Sequence, residues 1–142
     1  MKKTYIHKKQ IQLESGRVLD ELRIAYTTLG KLNKAKDNVI WITHALTANA
    51  NPEEWWKGLV GKGKFFNPEK HFIICANVLG SCYGTTGPLS KNGSTGSAFH
   101  HDFPHITIRD IVQGHELLRM HLGIQKIHTL LGCLLYTSPS PR

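Results

Sequence analysis

The residues with the clearest chemical potential run from Asn77 to Pro88, as Asn-Val-Leu-Gly-Ser-Cys-Tyr-Gly-Thr-Thr-Gly-Pro. Gly80, Gly84 and Gly87 permit backbone conformations that side chains forbid. Ser81, Thr85 and Thr86 supply hydroxyls, Asn77 an amide, and Tyr83 a ring with a polar tip. The stretch follows His71-Phe72-Ile73-Ile74-Cys75-Ala76, an apolar run of strand length. A buried strand that opens into a Gly/Ser/Thr loop is how open α/β sheets build ligand sites. The same composition also describes an ordinary surface loop.

Other candidates are weaker. His100-His101-Asp102 suggests a metal site or a His–Asp pair, but adjacent residues rarely converge on one ligand. His44 follows an apolar run and is read as packing or hydrogen bonding at a strand end. His115 lies at a core position of a helical pattern. A phosphate-binding module is a further reading of the glycine-rich loop. Its glycines, however, fit neither the spacing Gly-x-x-x-x-Gly-Lys-Ser/Thr nor Gly-x-Gly-x-x-Gly. No Gly-x-Ser-x-Gly nucleophile elbow occurs in the chain.

The elements that must hold these residues fit one domain of 142 residues, 40% hydrophobic and 20% charged. No apolar run is long enough to span a bilayer, and Lys2 and Lys3 are not followed by an apolar signal segment. Three cysteines without a Cys-x-x-Cys pair suit reduced thiols, and the expectation is a cytoplasmic protein with no membrane partner and no metal. The net charge of +8 is spread along the chain, not gathered into a stripe, so nucleic acid is not expected as a partner. An anionic small molecule suits such a surface, as does a solvated face with no partner.

Tyr5–Leu13 and Val18–Thr28 read as a hairpin turning at Ser15-Gly16. Val39–Thr43 and Phe72–Ala76 are continuous apolar runs, the pattern of strands buried on both faces. Pro52–Gly63, with Trp55 and Trp56, is expected to be helical in part. Leu89–His105 reads as a long loop of about seventeen residues, a length that is usually functional or mobile. Thr107-Ile108-Arg109-Asp110 resembles a capping box, and Ile108, Ile111, Val112, His115, Leu118 and Leu122 predict an amphipathic helix ending at Gly123. Ile127–Gly132 reads as a third buried strand. Strands and helices alternate after the hairpin, so the fold class is α/β with a parallel sheet.

Three segments in this order resemble a known family: His44-Ala45-Leu46-Thr47, the Asn77–Pro88 loop, and Phe103-Pro104-His105-Ile106-Thr107-Ile108-Arg109-Asp110. So placed, they look like the homoserine O-acetyltransferases of the α/β-hydrolase superfamily, and the Asn77–Pro88 wording is the most specific of the three. The resemblance covers Tyr5 to Gly132. It implies the N-terminal part of an α/β-hydrolase fold, with residues 1–132 belonging to that domain. It implies acetyl transfer from acetyl-CoA, as co-substrate, to the side-chain hydroxyl of L-homoserine in methionine biosynthesis. The route is an acyl-serine intermediate, with no permanently bound cofactor and a homodimeric parent. Relatives that use succinyl-CoA or L-serine, and esterases of the superfamily, are the alternatives. By the same resemblance Leu46 gives a backbone N–H to the oxyanion. Asn77, Gly80, Ser81, Tyr83, Gly84, Thr85 and Thr86 shape the substrate pocket.

The chain departs from the pattern where the elbow belongs. Gly132 fits the first glycine, but Cys133, Leu134, Leu135 and Tyr136 stand where Gly, Ser, Met and Gly are expected. The nucleophile, aspartate and histidine of the triad have no counterpart here. Residues 133–142, with Pro139 and Pro141, read as a non-native read-through tail. The polypeptide as written is therefore expected to be inactive. It is also expected to be poorly stable, because its last strand becomes a sheet edge.

Overall fold

A computed structural model describes residues 2–45 and 47–132. Its centre is a five-stranded sheet in the order β1-β4-β6-β5-β7. The strands are β1 (Lys2–His7), β4 (Leu22–Leu29), β5 (Val39–Thr43), β6 (Phe72–Ala76) and β7 (Thr129–Gly132). β1 and β4 are antiparallel, as are β4 and β6, whereas β5 runs parallel to both β6 and β7. The sheet is thus mixed, with its parallel part where the continuous apolar runs predicted it.

Alternation explains why those runs have no polar face. Val39 and Trp41 of β5, with Ile74 and Ala76 of β6, join Leu22, Ile24, Leu118 and Ile124 in one core. Ile40, Ile42, Ile73 and Cys75 join a second core with Ala50, Val60 and Phe66. Successive side chains of a strand point to opposite faces, so a strand covered on both sides must be apolar throughout.

The N-terminal hairpin is split. β2 (Ile11–Gln12) pairs with β3 (Val18–Leu19) in a separate two-stranded ribbon. Lys8–Gln10 on one side faces only Asp20 and Glu21 on the other, and this one-residue excess shifts the register between ribbon and sheet, as a bulge does. The stretch expected to be helical in part, Pro52–Gly63, holds the short helix α1 (Pro52–Trp55). Past it the chain turns repeatedly and forms an isolated bridge between Val60 and Phe66, a path made easy by three glycines. The long loop holds one 3-10 turn at His100–Asp102 and a bridge between Lys91 and Ala98. Among the described residues no group of three or more His, Cys, Asp or Glu side chains could hold a metal ion, and no helix is long and apolar enough to cross a membrane.

Helix α2 (Ile108–His121) forms with the predicted capping box. Thr107 Oγ1 accepts from the Asp110 amide, and Asp110 Oδ2 accepts from the Thr107 amide at 2.9 Å. Asp110 Oδ1 also accepts from the Glu14 amide at 3.0 Å, which ties the helix to the β2–β3 turn. Arg109 adds a 2.9 Å ion pair to Glu14. The buried face is rotated from the predicted one. Asp110, Gly114 and Leu118 face the sheet, while Ile108 and Val112 are exposed. Gly114 sets this rotation, since a Cβ there would lie 3.3 Å from Leu22. The expectation of a buried third strand also fails: β7 pairs only with β5, and Leu130 is 63% exposed. An edge strand is covered less completely than the strands inside it.

Burial raises the pKa of Asp110, but the amides of Thr107 and Glu14 and the Thr107 hydroxyl outweigh it and hold the carboxyl below the usual carboxylate range. Asp110→Asn is expected to cost about 1.5–3 kcal/mol at neutral pH, because an amide cannot accept at both oxygens. A carboxyl with a depressed folded pKa stabilises above its unfolded value and loses that contribution as pH falls through the folded one. The gap between wild type and variant in denaturant unfolding should therefore narrow on acidification below the ordinary Asp range.

Candidate functional site

β5, β6 and β7 are mutually parallel, so their C-terminal ends meet at one edge of the sheet. Thr43 pairs with Ala76 on one side and Gly132 on the other. Beyond β5 the chain makes a turn in which the Ala48 amide donates to the Ala45 carbonyl at 2.9 Å. Beyond β6 it enters the Asn77–Pro88 loop. The first turns of α2 stand over both. These three segments form the walls of an open cavity of about 520 Å³ lined by His44, Thr47, Val78, Leu79, Gly80, Ser81, Cys82, Tyr83, Ile108 and Ile111.

The loop is held by the edge of β4. β6 pairs with β4 only over Tyr26–Leu29, which leaves Arg23 and Ala25 without a strand partner on that side. The Asn77 and Thr86 amides donate to the carbonyls of Ala25 and Arg23, each at 2.9 Å. The Ala25 amide donates to Thr85 Oγ1 at 3.0 Å and the Arg23 amide to Thr86 Oγ1 at 2.8 Å. Two threonine hydroxyls thereby stand in for strand carbonyls, as the pairing of buried backbone amides demands. Both threonines are buried. The Gly80 amide returns to the Thr86 carbonyl at 2.8 Å and closes the loop. Gly80 adopts φ +87°, and a Cβ on Gly87 would lie 2.8 Å from the Ser81 carbonyl. A glycine is needed at each position, for different reasons.

The predicted site residues thus divide by task. Gly80, Ser81 and Tyr83 line the cavity. Asn77 is buried and lines not this cavity but a neighbouring pocket with Lys2, Thr27 and Tyr83, and its Nδ2 donates to the Tyr83 carbonyl at 2.9 Å. Thr85 and Thr86 anchor the loop to β4, and Gly84 borders an outer groove with Gly80 and Ser81. Leu46 and residues 133–142 lie outside the described residues. Sequence reasoning did not single out His44, Thr47, Val78, Leu79, Cys82, Ile108 and Ile111 as cavity wall; the four aliphatic ones carry no signal that separates them from core. Cys82 sits in Gly80-Ser81-Cys82-Tyr83-Gly84, the spacing of a nucleophile elbow with sulfur for oxygen. Turns, not a helix, follow it, so it is not presented on a strand-to-helix corner. Burial pushes the Cys75 thiol up to about 12, and it acts as apolar filler.

The wall is apolar, yet polar atoms beside it are unused. His44 Nε2, Ser81 Oγ and Asn77 Oδ1 are buried with no hydrogen-bond partner among the described residues. His44 and Ser81 line this cavity, so their unused atoms are capacity for a ligand or an ordered water. Beneath them His115 Nε2 donates to the Asn77 carbonyl at 3.4 Å, and its ring lies 6.0 Å from that of Trp41. Burial depresses the His115 pKa to about 4; the hydrogen bond to Asn77 opposes this and nearby His44 adds to it.

Two outcomes follow from this geometry. Thr85→Val should cost about 1–3 kcal/mol in denaturant unfolding, since it leaves the Ala25 amide unpaired, and Thr85→Ser should recover most of that. His115 has a folded pKa below its unfolded one, so its contribution is complete above pH 6.5 and is lost as pH falls toward 4. Stability should drop by roughly 1–3 kcal/mol across that window, and His115→Gln should flatten the profile.

No protein-family profile matches the chain. Among curated proteins, the homoserine O-acetyltransferase of Cyclobacterium marinum is 56% identical over 122 residues, which is 86% of this chain and 35% of the relative. Among solved structures, the homoserine O-acetyltransferase from Bacillus anthracis superposes with a TM-score of 0.81 at 33% identity, over 93% of this chain and 40% of that one. Esterase E22 superposes with a TM-score of 0.81 at 28% identity, over 95% of this chain and 41% of that one. The chain spans about a third of the length of the curated relatives it matches. With its α/β-hydrolase fold and its loop-walled cavity at the strand ends, the chain is similar over most of its length to one part of the homoserine O-acetyltransferases.

Proposed function

We propose that this chain forms the acyl-pocket portion of a homoserine O-acetyltransferase. In the complete enzyme a serine oxygen attacks the thioester carbonyl of acetyl-CoA, and CoA leaves as its thiol. The side-chain hydroxyl of L-homoserine then attacks the acyl-serine, giving the O-acetyl ester and regenerating the serine. The backbone N–H of Leu46 is one donor to the oxyanion of each tetrahedral intermediate. Gly80, Ser81 and Tyr83 bound the acyl group. The observation that carries this reading is the 56% identity to a homoserine O-acetyltransferase across 86% of the chain. The apolar cavity at the strand ends supports it, because excluding water protects an acyl-enzyme from hydrolysis. The product places the reaction in methionine biosynthesis. A cytoplasmic, homodimeric parent is part of the same reading, which the free thiols of Cys75 and Cys82 suit.

The 142-residue chain itself is inactive in this reading, because no Gly-x-Ser-x-Gly supplies the nucleophile. An ester hydrolase is the second reading, favoured by the equal fit to esterase E22. The two differ in the acceptor, homoserine or water. Residues 1–132 spliced onto the remaining length of the C. marinum enzyme should release CoA thiol from acetyl-CoA in a homoserine-dependent manner and yield O-acetylhomoserine by mass spectrometry. The chain alone should do neither. A folded hybrid that cleaves p-nitrophenyl acetate but leaves homoserine unmodified would favour the hydrolase, and turnover by the chain alone would refute its assigned inactivity.

A further inference from the structure

We infer that the pocket lined by Lys2, Glu53, Glu54 and Asn77 binds the head group of a small α-amino acid, outside the strand-end cavity. This goes beyond the acyltransferase reading and needs no turnover. Asn77 presents a buried acceptor without a donor. The residue is 1% exposed. Its backbone amide donates to the Ala25 carbonyl at 2.9 Å, and its backbone carbonyl accepts from Thr85 Oγ1 and His115 Nε2, each at 3.4 Å. Its Nδ2 donates to the Tyr83 carbonyl at 2.9 Å. A carbonyl only accepts, so this bond fixes which end of the side-chain amide is nitrogen. Oδ1 is then the one polar atom of Asn77 left over, buried and with no hydrogen-bond partner among the described residues. A buried acceptor in that state is costly until a donor reaches it.

The charges of the lining select the donor. Glu53 and Glu54 lie in α1, and the Asn49 side chain donates to Glu54 Oε2 at 3.1 Å. Hydrogen bonds from Asn49 and Asn51, and then the charges of Lys2 and Lys57, hold the Glu54 carboxyl below the usual carboxylate range. A neutral donor would satisfy Oδ1, but an ammonium also meets the carboxylates, and hydrogen bonds from a charged donor are the stronger kind. Among the described residues no group of three or more His, Cys, Asp or Glu could hold a metal ion, so the cation is an organic one. Lys2 does not supply it. Among the described residues Lys2 forms no ion pair with either glutamate and no hydrogen bond to Oδ1. Its ammonium stays available to an anion. One pocket thus offers acceptors for an ammonium and a cation for a carboxylate, the two charges of an α-amino acid. Its volume, about 290 Å³, holds a small amino acid and has no room for an acyl-CoA. Tyr83 lines both this pocket and the strand-end cavity, so the amino acid stands beside that cavity without entering it.

The test titrates the 142-residue chain by NMR with L-homoserine and with two analogues that each lack one charge. The backbone amides of Asn49, Glu53 and Glu54 and the side-chain amide of Asn77 should shift saturably. 4-Hydroxybutyrate, without the ammonium, should bind about 10–100-fold more weakly, the scale of a hydrogen bond from a charged donor to a buried acceptor. Homoserinol, without the carboxylate, should bind about 2–5-fold more weakly, the scale of an exposed ion pair, and Lys2→Met should erase that difference. Glu54→Gln should weaken homoserine by about 2–5-fold and leave 4-hydroxybutyrate no weaker. Asn77→Ala should cost about 10–100-fold. Should that variant loosen the loop, since Nδ2 also holds Tyr83, the analogues decide on the unaltered chain. Equal affinity for homoserine and 4-hydroxybutyrate overturns the inference. So does the absence of a saturable shift up to about 50 mM. Shifts confined to Ile108 and Ile111 would seat the amino acid in the strand-end cavity and overturn it as well.

Discussion

The cavity depends on two amides of β4 that have no strand to bond to. β6 stops pairing at Tyr26, and past that point the edge of β4 that faces away from β1 is paired by Thr85 and Thr86, which turn their hydroxyls onto the Ala25 and Arg23 amides. A buried amide without a partner costs about 1–3 kcal/mol, which is a large share of a small domain's stability. The loop is therefore bound to the sheet at Asn77 and again at Thr85–Thr86, and the residues between are forced outward as an arch. Gly80, Ser81 and Tyr83 are on that arch. Their place in the cavity wall follows from the pairing of a strand they do not touch.

The opposite wall is set by a second polar anchor. Asp110 accepts from the Glu14 amide as well as from Thr107, so the start of α2 is located by the β2–β3 turn. Gly114 then lets the helix approach Leu22 and Ile24. With the helix fixed at its end and close at its middle, Ile108 and Ile111 have one orientation available, toward the cavity. Apolar burial supplies most of the driving force here, but it has no direction. Direction comes from hydrogen bonds at Asp110, Thr85, Thr86 and Asn77, all buried polar side chains.

This division explains what could be read from the sequence. Val39–Thr43 and Phe72–Ala76 were legible because a strand covered on both faces has to be apolar at every position. The capping box at Thr107–Asp110 was legible because it is local chemistry within four residues. The bulge at Lys8–Gln10 was not, since it is defined by the length of the facing strand. The rotation of α2 was not, because Gly114 scores as a gap in a hydrophobic pattern although it faces Leu22 and Ile24 of the sheet. Thr85 and Thr86 looked like ligand hydroxyls: a composition rich in Ser, Thr and Gly suits both a binding loop and a loop that mimics a strand. Only the position of β4 separates the two. His44 was read as a hydrogen-bonding strand-end histidine, and it is one; its partner, the carbonyl of its own neighbour, could not be foreseen from residue types.

The chemistry of the site is divided across the sheet edge. The end of β5 carries the turn closed between Ala45 and Ala48, the end of β6 carries the cavity wall, and the end of β7 lies in register with β5, Gly132 opposite Thr43. A group placed just past β7 would be one strand spacing, about 4.8 Å, from the β5 turn. Attack on a carbonyl whose oxygen points at the β5 amides requires a nucleophile about 3 Å from the carbonyl carbon, on the side away from the wall. A neighbour of β5 on the side opposite β6, as β7 is, lies within that reach without entering the loop's side of the sheet. The strand order β6-β5-β7 therefore puts the end of β7 beside the β5 turn and away from the loop, which is where the proposed acyltransferase reading needs its nucleophile.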